Sequence, residues 1–269
     1  MILVNGQPAE TVDALDRGLA YGDGVFRTLR TRAGQPVWWR DQYAKLATDC
    51  SALMLACHEE AGLHAEVCRV AEAGEGVVKI LMTRGVGARG YALPQGQATT
   101  RIVLSAPLPA CAQAGSPDAV TARWCTLRLA RQPRLAGIKH LNRLENVLAR
   151  AEWNDPDIVE GLLCDDSGAV IGGVMSNLLM VKDGELLTPD LSQCGVAGVA
   201  RTRLLRAAAR LGMRIHIGRL LPDAILAADE VMISNSVIGV RRVARLDGAS
   251  WSPAGWTTTL NNALYEDLD

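Results

Sequence analysis

One lysine in this chain has surroundings in which an amine nucleophile could form. Lys139 follows the branched apolar residue Ile138 and lies just before a helix start that we predict at Asn142. Burial disfavours the charged form of a lysine, and a lysine that has lost its proton attacks carbonyl carbon. The same pattern is typical of a structural lysine whose stem packs while its ammonium reaches solvent. The segment alone leaves both interpretations open.

Two glycines precede a predicted helix in the second half of the chain. Gly195 and Gly198 flank Val196 and Ala197, and apolar residues at helical spacing follow from Val199. Backbone N–H groups at a helix start attract anions, and glycine lets a phosphate approach the chain closely. An ordinary loop that enters a helix has the same pattern, so this short motif is open to both explanations.

Two further polar segments have side chains that suit anionic ligands. Ser234-Asn235-Ser236 follows an apolar strand and is typical either of a phosphate contact or of a turn. Arg84 and Arg89 lie in a glycine-rich loop, and the arginine fork suits carboxylates. An exposed basic loop explains these two arginines equally well.

The composition limits the class of protein. The chain has 269 residues, 49% of them hydrophobic, and a formal net charge of -1, which predicts a globular protein with no nucleic-acid or membrane partner. Seven scattered cysteines without a C-x-x-C pair, and four histidines without metal-ligand spacing, predict neither disulfides nor a metal site. The first residues, Met1-Ile2-Leu3-Val4, read as a strand and not as a signal peptide, so we expect a cytoplasmic location.

The order of strand and helix patterns predicts a mixed α/β (α+β) fold and not a regular β-α-β repeat. We predict strands near 25–30 and 77–82, an amphipathic helix over 40–57 and a further helix over 142–153. Three prolines, a glycine and a serine between 106 and 118 predict a linker. We therefore expect an N-terminal domain over 1–106, a linker over 107–118 and a larger C-terminal domain over 119–269.

Several segments together resemble the class IV aminotransferase-like family of pyridoxal-phosphate (PLP) enzymes. They occur in family order along nearly the whole chain. The matching segments are D-R-G-L-A-Y-G-D-G at 16–24, T-R-G at 83–85, R-G-Y at 89–91, L-A-G-I-K-H-L-N-R-L-E at 135–145, S-N-L at 176–178, G-V-A-G at 195–198 and A-D-E at 228–230. The block at 135–145 is typical of the family's aminodeoxychorismate lyases more than of its transaminases.

The resemblance implies a fold type IV structure with a small N-terminal α/β domain and a larger C-terminal domain built on a mixed, barrel-like sheet. It also implies a homodimer, and PLP bound covalently by Lys139 in the cleft between the domains. In this arrangement His140 and Asn142 support the strand of the lysine and cap the next helix. The implied reaction cleaves the small-molecule substrate 4-amino-4-deoxychorismate to 4-aminobenzoate and pyruvate, a step toward folate.

The resemblance assigns the other site residues by their matching positions. Arg89 and Arg84 are expected to bind a substrate carboxylate. The PLP phosphate is expected to bind Lys45, the backbone of Val196 and Ala197, and Asn235 or Ser236.

Two positions depart from the family pattern. Lys45 stands where the family usually has a phosphate-binding arginine, so the charge is kept but the bidentate fork is lost. Gly172 stands where the family has a glutamate that pairs with the pyridine nitrogen, and no acidic residue lies within five positions of it. Without that partner PLP withdraws electrons less strongly. Two alternatives to the lyase therefore stay open, a transaminase of D-amino or branched-chain acids and a pseudoenzyme that has lost PLP.

Overall fold

The computed structural model describes residues 1–71, 74–96, 98–113 and 119–266. These residues form two compact units. The first unit holds Met1–Ala110 and the short segment Ile138–Asn142. The second unit holds Cys111–Gly137 and, among the described residues, 143–266. None of the helices in the described residues has the length and apolar character that a membrane crossing requires.

The first unit is built on a six-stranded antiparallel sheet with three helices. The sheet order is β2-β1-β6-β5-β3-β4. Its elements are β1 Ile2–Val4, β2 Gln7–Pro8, α1 Arg17–Tyr21, β3 Gly24–Arg32, β4 Gln35–Pro36, α2 Trp39–Ala52, α3 Glu60–Val70, β5 Glu75–Thr83 and β6 Thr100–Pro107. The longest pairing joins β3 to β5, from Gly24 opposite Thr83 to Arg32 opposite Glu75.

Alternation along β3 decides which side chains enter the core of the first unit. Val25 and Leu29 are fully buried against α2 and α3, where Leu46 and Leu63 complete the same apolar cluster. The same alternation also turns Arg27 toward the core, where its side chain is almost completely buried. A buried guanidinium requires a charged or strongly polar partner, because an isolated buried charge is costly.

The second unit is built on a nine-stranded mixed sheet with four helices. The sheet order is β12-β11-β10-β13-β14-β7-β8-β9, and β15 pairs with β14. Its elements are β7 Ala119–Leu129, α4 Leu144–Arg150, β8 Ile158–Asp165, β9 Val170–Gly173, β10 Asn177–Lys182, β11 Glu185–Pro189, α5 Val199–Arg210, β12 Ile215–Gly218, α6 Pro222–Leu226, β13 Glu230–Asn235, β14 Gly239–Leu246, β15 Ala249–Ser250 and α7 Trp256–Leu264. Parallel pairs join β7 to β8 and to β14, and β11 to β12. The predicted mixed α/β (α+β) class is confirmed.

The segment that carries Lys139 belongs to the first unit although the chain on both sides of it belongs to the second. Its main chain pairs antiparallel with the start of β3, since Phe26 N–H donates to Lys139 O (2.9 Å) and Leu141 N–H donates to Gly24 O (2.9 Å). The domain boundaries therefore differ from the prediction, which placed Lys139 within one continuous C-terminal domain over 119–269.

Two predicted boundaries in this region also differ from the structure. The helix predicted over 142–153 spans only Leu144–Arg150, and Asn142 does not cap it, because the Asn142 amide donates to the Gly22 carbonyl (3.2 Å). Of the predicted linker over 107–118, the part through 113 contains a short 3-10 turn at Ala110–Ala112, and 114–118 lie outside the described residues. The division between the units falls after Ala110.

Candidate active site

Both main-chain polar groups of Lys139, its carbonyl and its N–H, are hydrogen-bonded. Its carbonyl accepts from Phe26 N–H, and its N–H donates to Asp49 Oδ2 (3.2 Å). The Lys139 ammonium lies 4.5 Å from the centroid of the Phe26 ring, a distance at which the ring face attracts a cation. Phe26 is the one phenylalanine of the chain. The lysine thus has a fixed backbone and a side chain that leans on an aromatic ring.

Asp49, near the end of α2, forms a second centre of charge beside Lys139. Its side chain is only 1% exposed, and its carboxylate accepts from Arg27 (2.7 Å) and from the Lys45 ammonium. Burial lowers the pKa of Lys45, and the charge and hydrogen bond of Asp49 oppose that shift. Burial also lowers the pKa of Arg27, again against the effect of Asp49. The predicted phosphate cation Lys45 therefore shares one carboxylate with the main chain of Lys139.

In the second unit, the loop before α5 is fixed by hydrogen bonds to two distant segments. Gly137 N–H donates to Gly195 O (3.0 Å), and Ala197 N–H donates to Gly137 O (3.1 Å). The Asn177 side chain accepts from Gly198 N–H (3.1 Å) and donates to Val196 O (2.7 Å). Because Ala197 N–H already has a partner, the N–H of Val196, which has none among the described residues, is the more suitable phosphate donor of the predicted pair.

The N-terminus of α5 has the features of an anion-binding helix end. The first N–H groups of a helix have no partner within the helix, and the positive end of its dipole attracts negative charge. In the described residues no side chain caps this end, and the first turn contains no acidic residue. A Cβ at the cap position Gly198 would lie 2.3 Å from Asn177 Oδ1, so glycine is required for this close approach. Two of the predicted phosphate contacts, Val196 and Ala197, precede this helix start directly.

The turn between β13 and β14 contains the other two predicted phosphate contacts. Asn235 Oδ1 accepts from Val237 N–H (2.9 Å) and Ile238 N–H (3.0 Å), and its amide donates to Met175 O (3.2 Å). Asn235 therefore shapes the turn, and this use of its side chain weakens its predicted role. Ser236 lies half-buried in the same turn. The fully buried Ser234 hydroxyl, opposite Asn177 in the sheet, has no hydrogen-bond partner within the described residues.

Gly172 and Gly173 lie next to a buried carboxylate that the sequence patterns did not identify. Glu160 on β8 is 3% exposed and accepts from Ser176 Oγ (2.7 Å), Gly161 N–H (3.0 Å) and Met175 N–H (3.3 Å). Burial raises its pKa, against the effect of these hydrogen bonds. A Cβ at Gly173 would lie 2.8 Å from Glu160 Oε2, so a side chain at that position would collide with the carboxylate.

Glu160 does not occupy the place of the missing glutamate at position 172. Successive residues of a strand project to opposite faces, and Glu160 lies on the Gly173 side. A Cβ at Gly172 would instead lie nearest the carbonyl oxygen of Ser176, at 3.0 Å. A Cβ at Gly172 therefore requires a shift of a few tenths of an ångström, and the backbone of Gly172 is outside the left-handed region.

The two predicted substrate arginines have very different surroundings. Arg84 is 3% exposed, and its guanidinium donates to both oxygens of Asp23 (2.8 and 3.0 Å) and to the carbonyls of Leu53 (2.7 Å) and Met54 (2.8 Å). Four of its five N–H groups are thereby used inside the first unit. This geometry does not support the predicted role of Arg84 at the substrate. Arg89 is exposed and remains the candidate.

The loop of Arg89 is anchored at the next residue. Gly90 O accepts from Arg17 (2.8 Å), and Gly90 N–H donates to the Tyr21 hydroxyl (3.2 Å). Arg17 is itself fixed by Asp23 (3.0 Å), the same carboxylate that binds Arg84. Burial tends to raise the pKa of Asp23, but Arg84 and Arg17 together hold it below its usual value. The exposed Arg89 is therefore carried on a main chain that α1 holds in place.

Comparison with known proteins identifies the family. The model of the family described as amino-transferase class IV matches residues 24–246. The aminodeoxychorismate lyase of Vibrio harveyi is 32% identical over 245 residues, which cover 91% of this chain and 90% of that relative.

Two solved structures share the architecture. The 4-amino-4-deoxychorismate lyase from Pseudomonas aeruginosa has 43% sequence identity and a TM-score of 0.93, with 100% of both chains covered. A PLP-bound hypothetical aminotransferase from Mycobacterium tuberculosis has a TM-score of 0.83 at 20% sequence identity. The match covers 98% of this chain and 97% of the aminotransferase, and at this identity it shows the fold alone. The predicted fold type IV class is confirmed. With the family model matched over most of its length, the chain belongs to the class IV aminotransferase family.

Proposed function

We propose that this protein is a PLP-dependent aminodeoxychorismate lyase that converts 4-amino-4-deoxychorismate to 4-aminobenzoate and pyruvate in folate biosynthesis. The observation that carries the proposal is the 43% identity, over the full length of both chains, to the Pseudomonas aeruginosa 4-amino-4-deoxychorismate lyase. The Vibrio harveyi aminodeoxychorismate lyase supports the same assignment.

Each unit contains residues that suit a part of PLP. The cofactor needs an amine for its aldehyde and N–H donors or cations for its phosphate. Lys139 provides the amine. Lys45, the N–H of Val196 at the start of α5 and the hydroxyl of Ser236 provide phosphate contacts, whereas Ala197 and Asn235 hold the loop and the turn that carry them. The uncapped start of α5 has no acidic side chain that would repel the phosphate.

The chemistry divides between the cofactor and Lys139. When bound, PLP withdraws electrons from the substrate carbon that carries the amine. Lys139 would hold the cofactor, and its Nζ, when free, would act as the general base that removes the proton from the substrate ring. Loss of that proton would break the C–O bond to the enolpyruvyl group, and protonation of the released enolpyruvate would give pyruvate. Lys139 would hold the cofactor again once 4-aminobenzoate has left.

Gly172 favours the lyase over a class IV transaminase of D-amino or branched-chain acids. Amino-group transfer depends strongly on electron withdrawal by the cofactor ring, which a glutamate at position 172 would strengthen. Cleavage of aminodeoxychorismate creates an aromatic ring, and the stability of that ring supplies driving force of its own. The absence of the glutamate therefore lowers the rate of amino-group transfer more than the rate of the lyase reaction.

The surroundings of Lys139 also argue against a pseudoenzyme. A chain that had lost PLP would have no use for a lysine with an anchored backbone beside a second, carboxylate-bound cation. We further infer a homodimer, as in the resemblance, and a cytoplasmic location. The seven cysteines of the chain form no disulfide bonds in the structure, which fits a reducing compartment.

The proposal predicts the products of the purified protein supplied with PLP. Incubation with 4-amino-4-deoxychorismate should release 4-aminobenzoate and pyruvate in equal amounts, and Lys139→Ala should reduce the rate by roughly a thousandfold or more, because the base is lost. Fluorescence detects 4-aminobenzoate, and a coupled dehydrogenase detects pyruvate. Faster amino-group transfer from D-alanine or leucine to 2-oxoglutarate would instead favour the transaminase.

Gly172→Glu tests the electronic argument. The added carboxylate should raise amino-group transfer relative to lyase turnover by about tenfold, equivalent to roughly 1.4 kcal/mol of barrier. Gly172→Ala is the matched control, because it adds the same Cβ beside the Ser176 carbonyl without a carboxylate. Both rates are measured on each variant at saturating PLP. An unchanged ratio in Gly172→Glu, or an equal change in Gly172→Ala, would refute the argument.

The two arginines should separate binding from stability. Arg89→Gln should raise KM about tenfold, because a charged hydrogen bond to the substrate carboxylate is lost, and should change the free energy of unfolding by less than about 0.5 kcal/mol. Arg84→Gln should instead destabilise the protein by about 3 kcal/mol, because a buried ion pair is broken. Urea titration and steady-state kinetics on both variants provide the comparison.

The Arg84→Gln effect should also depend on pH. The pKa of Asp23 is lowered in the folded protein, so its contribution to stability is present at neutral pH and is lost as the pH falls through that lowered value. The difference in the free energy of unfolding between wild type and Arg84→Gln should therefore become smaller as the pH is lowered. A larger stability loss in Arg89→Gln than in Arg84→Gln would contradict the assignment.

A further inference from the structure

We propose that Asp49 is a positioning residue that couples the phosphate cation Lys45 to the cofactor lysine Lys139, with Arg27 as the fixed support of its carboxylate. The inference rests on the proposed function, because it assumes that Lys139 holds PLP. It assigns a role to two residues, Asp49 and Arg27, that no sequence pattern singled out.

The two oxygens of Asp49 have different tasks. Oδ2 accepts from Arg27 (2.7 Å) and from the main-chain N–H of Lys139 (3.2 Å). Oδ1 accepts from the Lys45 ammonium, one helical turn earlier on α2. One rigid carboxylate therefore sets the backbone of the lysine and the head of the cation at once. A shift of the carboxylate would move both groups.

The cluster combines a buried ion pair with a cation that is partly exposed. Arg27 and Asp49 are 3% and 1% exposed, and as a pair they compensate each other's burial. Lys45 is a second cation on the same carboxylate, and its side chain is 20% exposed. A partly exposed cation with a fixed carboxylate partner suits a phosphate group.

The geometry also suits the shape of PLP. Its aldehyde and its phosphate arm are attached to neighbouring ring carbons, so the amine and the phosphate cation must lie close to each other. Lys45 has a single ammonium in place of the planar arginine fork, which makes its direction less well defined. The hydrogen bond to Asp49 restores a defined direction to that ammonium. Asp49 and Arg27 thus compensate for the departure at position 45.

Two ligands that differ only in the phosphate separate the roles of the cluster. We would titrate the apo protein with PLP and with pyridoxal, which lacks the phosphate, and follow the visible absorbance of the bound aldehyde. Lys45→Ala should raise the Kd of PLP by about thirtyfold and the Kd of pyridoxal by less than about threefold, because only PLP loses a charged contact.

Asp49→Asn should raise the Kd of both ligands by at least about tenfold, because the backbone of Lys139 loses its anchor as well.

Glu66→Gln is the matched control for Asp49→Asn. It breaks another ion pair of the same unit, which joins Glu66 to Arg101 (2.5 Å) and is separate from the Asp49 carboxylate. It should lower the melting temperature and leave both ligand affinities unchanged. If Asp49→Asn does not fold, Asp49→Glu replaces it: the charge stays to pair Arg27, but the displaced carboxylate should still weaken both ligands.

The outcomes separate this inference from the proposed function. Wild-type protein that binds PLP, together with Asp49 variants whose affinities for PLP and pyridoxal match wild type, would overturn the role of Asp49 alone. Equal losses of PLP and pyridoxal in Lys45→Ala would overturn the role of Lys45 as the phosphate cation. Wild-type protein that binds neither ligand would overturn the proposed function and this inference with it.

Discussion

Pairing of the Lys139 segment with the first residues of β3 is the constraint on which the candidate site depends. Two main-chain hydrogen bonds hold five residues of the chain on a sheet whose other strands come from the first 110 residues. Glycine at position 24 makes this possible, because a Cβ there would lie 2.4 Å from the Met82 carbonyl oxygen and 2.8 Å from the Leu141 side chain. The Asn142 amide, bonded to Gly22, closes the far end of the pairing.

The same pairing explains why charge accumulates inside the first unit. Alternation along β3 turns Arg27 inward beside the residues that pair with Lys139, and α2 supplies Asp49 to compensate it. The Asp49 carboxylate also accepts hydrogen bonds from the Lys139 N–H and from Lys45. In the second unit the start of α5 has N–H groups and a helix dipole that suit an anion, with no side-chain cap among the described residues.

Much of this arrangement could be predicted from the sequence, because its signals are local. The Lys139 block, the glycines before α5 and the strands near 25–30 and 77–82 are each contained in a short run of residues. Asp49 and Glu160 could not be predicted, since their roles come from contacts with residues that are distant in the chain. The surroundings of Arg84 could not be predicted for the same reason, because its four acceptors lie 30 or more positions away. The alternation of Arg27 with Val25 and Leu29 along the predicted strand is a local signal that could have indicated a buried partner for this arginine.

The central claim is that Lys139 binds PLP covalently, and one measurement tests it most directly. The purified protein is loaded with PLP, reduced with borohydride, digested, and analysed by mass spectrometry. The account predicts one modified peptide, with the reduced pyridoxyl phosphate group on Lys139. Modification at another lysine such as Lys79, or a protein whose absorbance and mass do not change on reduction, would contradict it.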